Sequence, residues 1–353
     1  MGGSPDRSPV RLAELVAALS LGIDLGFGQP MEHVLRQCLI ATRLADRVGL
    51  DDQDRAGVYY TALLINVGCH TDAYEQAKWF GDDIDLKADK YAYEPKSFRE
   101  AVAMVRRFGT GDPPLTRVRH GVDFALHGRH EAATMIAQHA KLGRMLAEEL
   151  GLADAACAGL GDAYEQWDGK GWPGNRTGEE IPIAARIALL AEYVEVAHRT
   201  AGIDAAVELA ERRAGKMFDP ALASCLRANA GDILDGIDGL ETWKAVIDSE
   251  PALTVRLDAT QFEAALTAIA DFVDLKSPYT LGHARAVSEL AAAAGRHAGL
   301  GAGDVTTLRR AGLVLGFGRL GVSNAVWDKP GPLSVGEWAV SYTHLTLPTI
   351  LRV

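Results

Sequence analysis

The densest run of residues able to do chemistry is Asp168-Gly169-Lys170-Gly171-Trp172-Pro173, followed by Gly174. Glycines and a proline after a helical stretch make a tight loop that needs backbone angles most residues avoid. Trp167 and Trp172 flank this loop. Such rings can stack on a guanine base, but packing over the loop is their commoner use. Other candidate groups are less organised. His120, His127 and His130 cluster without the spacing of a zinc site and read as surface residues. Cys69-His70 has no identifiable orienting acid, which argues against a Cys–His nucleophile pair and leaves His70 as a loop residue. The acidic run Gly81 to Asp85 lacks the ligand spacing of a calcium loop and reads as a solvated loop. Gly26 to Gly28 has no lysine partner and is no phosphate loop.

Helices must position these groups. From Met31 the apolar residues Met31, Val34, Leu35, Cys38, Leu39, Ile40, Leu44 and Val48 recur at spacings of three and four, and Gly49 follows as a stop. The stretches 131–150, 183–199, 204–214 and 261–273 carry the same periodicity, and strand-like alternation is scarce, so the fold class is all-α. Apolar residues make up 48% and charged residues 24% of 353, a globular composition large enough for two domains. The net charge of −11 excludes a chain-wide nucleic-acid footprint. Cys38, Cys69, Cys157 and Cys225 have neither redox nor zinc-ribbon spacing and read as free thiols in a reducing compartment. The longest uncharged apolar run, Val58 to Cys69, is too short to span a bilayer, and Met1 to Pro9 has no signal-peptide core. A cytoplasmic protein is expected.

Shifted by 250 residues, the chain repeats itself. Between 24 and 69, nine of forty-six positions match without a gap: Asp24/Asp274, Leu25/Leu275, His33/His283, Ala41/Ala291, Gly49/Gly299, Leu50/Leu300, Asp54/Asp304, Leu63/Leu313 and Gly68/Gly318. The expected organisation is a disordered 1–10, a first domain over 11–248, a linker over 249–258 and a second, truncated copy over 259–338. The tail 339–353 is unlike the rest. Val340 to Thr349 is spelled by ten consecutive in-frame codons of a transposase adaptor used in sequencing libraries, so 339–353 is read as artefact.

The glycine loop, with Ile181-Pro182 and Arg186-Ile187 after it, resembles the HD-GYP signature H-H-E-x-x-D-G-x-G-Y-P followed by I-P-x-x-x-R-I. His33 with Arg36 resembles the family's H-x-x-R opening, and His139 with Gly143 its H-x-x-x-G element. The second copy is similar over Asp274 to His283 and Gly318 to Leu333. The resemblance implies a duplicated HD-domain-like helical bundle. It also implies a metal-dependent phosphohydrolase acting on cyclic di-GMP, with a divalent metal (iron or manganese) as cofactor. Such a metal generates the hydroxide that attacks phosphorus.

Mapped through that resemblance, the adjacent H-D pair falls on Ile65-Asn66 in the first copy and on Leu315-Gly316 in the second, none of them a ligand of the required type. The H-H-E triplet has become Ala163-Tyr164-Glu165, and the acid expected before the opening histidine is Gln29 or Tyr279. The surviving metal candidates are His33, His139 and Glu192. The loop motif keeps Glu165, Asp168, Gly169, Gly171, Trp172 and Pro173, and the second copy keeps His283. The expected function is therefore a degenerate, non-catalytic signalling module with a nucleotide second messenger or a protein as partner. The alternatives are an active phosphodiesterase with a reduced ligand set, or the sensory part of a LuxR-type regulator. Packing of 259–338 on the first domain, or an exposed apolar surface there, is the expected consequence of truncation.

Overall fold

The computed structural model describes residues 10–91, 129–251 and 255–345. His120 and His127, and the side chain of His130, lie outside the described residues. Among the described residues the regular elements are helices, apart from one short antiparallel pair between β1 (Val10–Arg11) and β2 (Arg256–Leu257).

The first bundle is built from α1 (Leu12–Gly26), α2 (His33–Val48) and α3 (Asp52–Leu64), then α4 (Ala73–Phe80) and α5 (Asp83–Ala88). After these come α6 (Arg129–Glu149), α7 (Asp154–Gly161) and α8 (Ile183–Arg213). The short helices α9 (Pro220–Ala228), α10 (Ala230–Leu234) and α11 (Thr242–Asp248) complete it. The apolar stripe of α2 faces inward: Val34, Leu35, Cys38, Leu39, Ile40 and Leu44 are all buried. Local chemistry fixes its ends. Asp24 accepts the Val34 N–H at 3.1 Å, and Gly49, at φ 79°, turns the chain so that its N–H reaches the Ala45 carbonyl. α3 packs against α2, α7 and α8. α8 changes direction at Gly202 (φ 84°, ψ −177°), between the two periodic stretches read from the sequence.

The remaining elements are α12 (Ala259–Asp274), α13 (His283–His297), α14 (Ala302–Val314), α15 (Asn324–Trp327) and α16 (Val335–Leu345). α2 and α13 begin, and α3 and α14 end, at positions related by the 250-residue shift. The capping is also alike: Asp274 accepts the Ala284 N–H at 2.8 Å, and Gly282 (φ 73°) precedes α13 as Glu32 (φ 72°) precedes α2. α12 contributes Ala265, Ala268, Ile269, Phe272 and Val273 to the same buried core as α1, α2, α3 and α8. At Gly26 a Cβ would stand 2.8 Å from the Leu320 carbonyl oxygen, so glycine permits that close docking. α13 and α14 pack chiefly on each other and leave Leu290 (72%) and Leu315 (56%) exposed. α12 thus packs in the core of the first bundle, while Leu290 and Leu315 face outward.

One expectation is corrected. The run Gly81 to Asp85 is no solvated loop: Asp83 is fully buried at the start of α5. Its carboxylate accepts from Ser323 Oγ and the Asn324 N–H, each at 2.8 Å, and from Lys87 Nζ at 3.0 Å. Lys276 Nζ lies 3.5 Å away. Partners some two hundred residues distant desolvate this acid, which local composition could not foretell. The described ends of the stretch 249–258, residues 249–251 and 255–258, make contacts of their own. Buried Glu250 pairs with Arg11 and accepts from the Tyr60 hydroxyl at 2.8 Å. α16 continues through residues 339–345. Among the described residues no helix is long and apolar enough to cross a membrane.

Candidate functional site

The centre of the first bundle is organised around Glu192, fully buried on α8. Its Oε1 accepts from Lys90 Nζ at 2.7 Å, from the Tyr91 hydroxyl at 2.7 Å and from Asn66 Nδ2 at 2.8 Å. Lys90 and Tyr91 belong to a single 3₁₀ turn, Asp89–Tyr91, and Asn66 stands between the C-cap of α3, Ile65, and the 3₁₀ turn Val67–His70. Burial would raise the Glu192 carboxyl, but the Lys90 ammonium and these hydrogen bonds outweigh it and hold it below the usual range. Burial likewise works against the Lys90 charge, and Glu192 reverses that effect. One turn along α8, Glu195 accepts from Arg36 Nε at 2.9 Å and Arg199 Nε at 3.2 Å, and its Oε2 lies 2.5 Å from His33 Nδ1. The other His33 nitrogen is 3.4 Å from the Tyr91 hydroxyl.

A second polar group lies beside the first. His139 Nε2 on α6 is 3.0 Å from Asp72 Oδ2, and Cys69 Sγ is 3.2 Å from the Tyr164 hydroxyl, which donates to the Ile65 carbonyl at 2.8 Å. Burial alone would depress the His139 imidazole, but the Asp72 and Cys69 charges push it up to about 10. Burial opposes ionisation of the Cys69 thiol, yet the His139 and Lys90 charges bring it below its ordinary value. One part of the reading of Cys69-His70 is corrected: His70 is not a loop residue but is buried in the 3₁₀ turn Val67–His70, with its two nitrogens 2.7 and 2.8 Å from the Val67 and Phe272 carbonyls, while Cys69 lies beside His139 rather than pairing with His70. Gly68 allows this approach, since a Cβ there would come within 2.4 Å of the His139 carbonyl oxygen.

The glycine loop closes over one side. Glu165, 2% exposed, accepts the Gly174 N–H at 3.1 Å and the Asn175 N–H at 2.8 Å, so its carboxylate caps the loop. Gly169 takes φ 73°, and a Cβ at Gly171 would stand 2.3 Å from the Gln166 nitrogen. The Trp172–Pro173 peptide is cis. Asp168 accepts the Lys170 N–H at 3.0 Å, and Trp167 lies under the Arg186 guanidinium at 5.8 Å. Trp167 therefore packs against α8 beside the loop.

The three candidate metal ligands are not gathered at one point. His33 and Glu192 converge on the Tyr91 hydroxyl, whereas His139 is turned to Asp72. Ile65 is a buried apolar residue, and Asn66 spends its amide on Glu192 and lies 3.4 Å from Lys90 Nζ. In the second half, His283 Nε2 faces Arg319 Nη2 at 3.4 Å, Leu315 points outward and Gly316 has no side chain to offer. Among the described residues, Glu192 Oε2, Asp72 Oδ1 and His139 Nε2 are buried without a hydrogen-bond partner, but no three His, Cys, Asp or Glu residues are arranged to hold a metal ion. These atoms do not converge into one coordination sphere, so the residues present do not fit a divalent iron or manganese centre.

Lys90, Tyr91, Glu195 and Asp72 were not singled out from the sequence. Glu195 alone carried a signal, three residues after Glu192 on one helical face.

Comparison with known proteins agrees with this architecture. The profile of the HD domain matches residues 128–222. The chain is 31% identical over 338 residues to 3′3′-cGAMP-specific phosphodiesterase 3 of Vibrio cholerae serotype O1, covering 94% of this chain and 73% of that protein. A crystal structure of a cyclic GMP-AMP-specific phosphodiesterase from V. cholerae superposes with a TM-score of 0.71 at 28% identity, covering 96% of this chain and 80% of the other.

Proposed function

Because this chain belongs to the HD-domain phosphohydrolase family, we propose that it is a degenerate, non-catalytic member that acts as a cytoplasmic signalling module, with a cyclic dinucleotide or a protein as its partner. The observation that carries this reading is the bond set of Glu192. Where the family resemblance assigns the metal-binding pair, Ile65 and Asn66 stand instead, and Asn66, Lys90 and Tyr91 together saturate one oxygen of the remaining acid. The relative's action on 3′3′-cGAMP supports a cyclic dinucleotide as the ligand class.

The domain organisation is part of the same reading. The shared boundaries and caps of α2–α3 and α13–α14 support a duplication of one unit, with 11–248 as the first copy, 249–258 as a connection and 259–338 belonging to the second. In both, the positions of the pair lack imidazole and carboxylate.

The test uses the purified chain. Iron and manganese content is measured together with hydrolysis of 3′3′-cGAMP and cyclic di-GMP, and binding of each by calorimetry. No stoichiometric metal and no turnover are expected. Stoichiometric metal with turnover that His139→Ala abolishes would overturn the proposal in favour of an enzyme with a reduced ligand set.

A further inference from the structure

The centre of the first bundle contains a cation of its own. Lys90 Nζ lies 2.7 Å from Glu192 Oε1 and 3.4 Å from Asn66 Oδ1. It also stands over four aromatic rings, at 5.2 Å from the centroid of Phe27, 5.5 Å from Tyr91, 5.7 Å from Tyr164 and 6.0 Å from Tyr193. Ring faces carry negative potential and attract a cation, most strongly where water is scarce. A carboxylate, an amide oxygen and four rings around one ammonium form a cage for a single positive charge.

We propose that Lys90 is a tethered cation that takes over the charge-balancing work of a divalent ion in this centre. The assignment rests on the non-catalytic reading above and deepens it, since it says what replaced the metal. Charge and chemistry agree. The centre offers one carboxylate, Glu192, and one neutral amide, Asn66, which suits a monovalent cation and leaves a dication largely uncompensated. An ammonium has three donors and no acceptor, and it meets acceptors here rather than other donors. Asn66 fits the arrangement with both ends of its amide: Nδ2 donates to Glu192 and Oδ1 faces Lys90. An aspartate at that position would add a second negative charge, and the lysine would no longer balance the site. Because Lys90 and Tyr91 share one turn, the cation brings with it the hydroxyl that links Glu192 to His33.

The experiment compares the full chain with Lys90→Ala, Glu192→Gln and the double variant. For the unaltered chain, melting should be insensitive to EDTA and to added Mn2+. Lys90→Ala should lower the melting temperature by roughly 5–10 °C, as expected when a buried charge loses its partner. Adding Glu192→Gln should recover part of that loss. Methylammonium chloride should raise the melting temperature of Lys90→Ala above that in tetramethylammonium chloride of equal concentration, and should not do so for the unaltered chain. An unaltered melting temperature in Lys90→Ala, or a double variant that loses the sum of the two single losses, would overturn the assignment. If Lys90→Ala does not fold, a chelator-induced fall in the melting temperature of the unaltered chain overturns it, and chelator insensitivity with a stable double variant upholds it. Turnover is read separately: an inactive, metal-free chain with uncoupled Lys90 sinks this assignment alone, whereas metal with turnover sinks the non-catalytic reading as well.

Discussion

Glu165 shows how an inherited acid can be kept for the backbone. It stands where the family resemblance puts the last member of a ligand triplet, yet its oxygens receive the N–H groups of Gly174 and Asn175. Hydrogen bonds to a charged acceptor contribute about 1.5–3 kcal/mol each, and unmade buried ones cost a comparable amount. Glu165→Ala is therefore expected to lose about 2–4 kcal/mol in urea denaturation, and Gly171→Ala to be destabilising as well, because its Cβ would meet backbone 2.3 Å away. Lys170→Ala, at an exposed position of the same loop, should stay within about 0.5 kcal/mol of the unaltered chain. A Glu165→Ala loss no larger than that of Lys170→Ala would mean that the cap on Gly174 and Asn175 does not hold the loop. The prediction separates a structural acid from a catalytic one, since it is read in stability without any substrate.

At the scale of elements, Asp83 ties α5 to the second half of the chain. Burial alone would raise its carboxyl, but the ammonium groups of Lys87 and Lys276, with the Asn324 N–H, hold it at about 2. A carboxyl depressed in the folded state stabilises fully above its unfolded value near 3.8, and the contribution is lost as the pH falls from there through about 2. The chain should thus lose stability between about pH 4 and pH 2, and Asp83→Asn should flatten that part of the profile. The same variant should cost roughly 3–5 kcal/mol at neutral pH, since two buried lysines lose their partner. Hydrogen exchange should locate the loss around Lys276 and Asn324; an unchanged exchange pattern there would contradict the tie. This contact also marks where sequence reading ends. The stripe of α2, its Gly49 stop, the break in α8 and the glycine loop are local patterns of three- and four-residue spacing or of special backbone angles, and they were legible. Asp83, Asp72 and Lys90 acquire their roles from partners far along the chain, so no window of neighbouring residues carries the signal. The candidate site was legible in the same measure. The assignment of Ile65 and Asn66 to the positions of the metal-binding pair follows from the family resemblance, whereas the lysine beside Asn66 is a fact of packing.

Over the whole molecule, the 250-residue shift compares one sequence pattern in two environments. Ile40, Val58 and Ile65 are 1%, 0% and 2% exposed, because α7 and α8 cover α3 while α8 also covers α2. Their counterparts Leu290, Leu308 and Leu315 are 72%, 36% and 56% exposed on α13, α14 and the turn after it. The residues are apolar in both places, so what differs is the presence of covering helices rather than the local sequence. A charge introduced into a filled core must be desolvated without a partner, while the same charge on an open face stays hydrated. Ile40→Glu is therefore expected to unfold the chain or to lower its stability by several kcal/mol, roughly the whole margin of an ordinary domain. Leu290→Glu and Leu315→Glu should change stability by no more than about 0.5 kcal/mol and should reduce the binding of the apolar dye ANS, which reports accessible hydrophobic surface. If Leu290→Glu proved as damaging as Ile40→Glu, with dye binding unchanged, Leu290 would have to be covered in solution, and the two units would differ less in their packing than their exposures indicate.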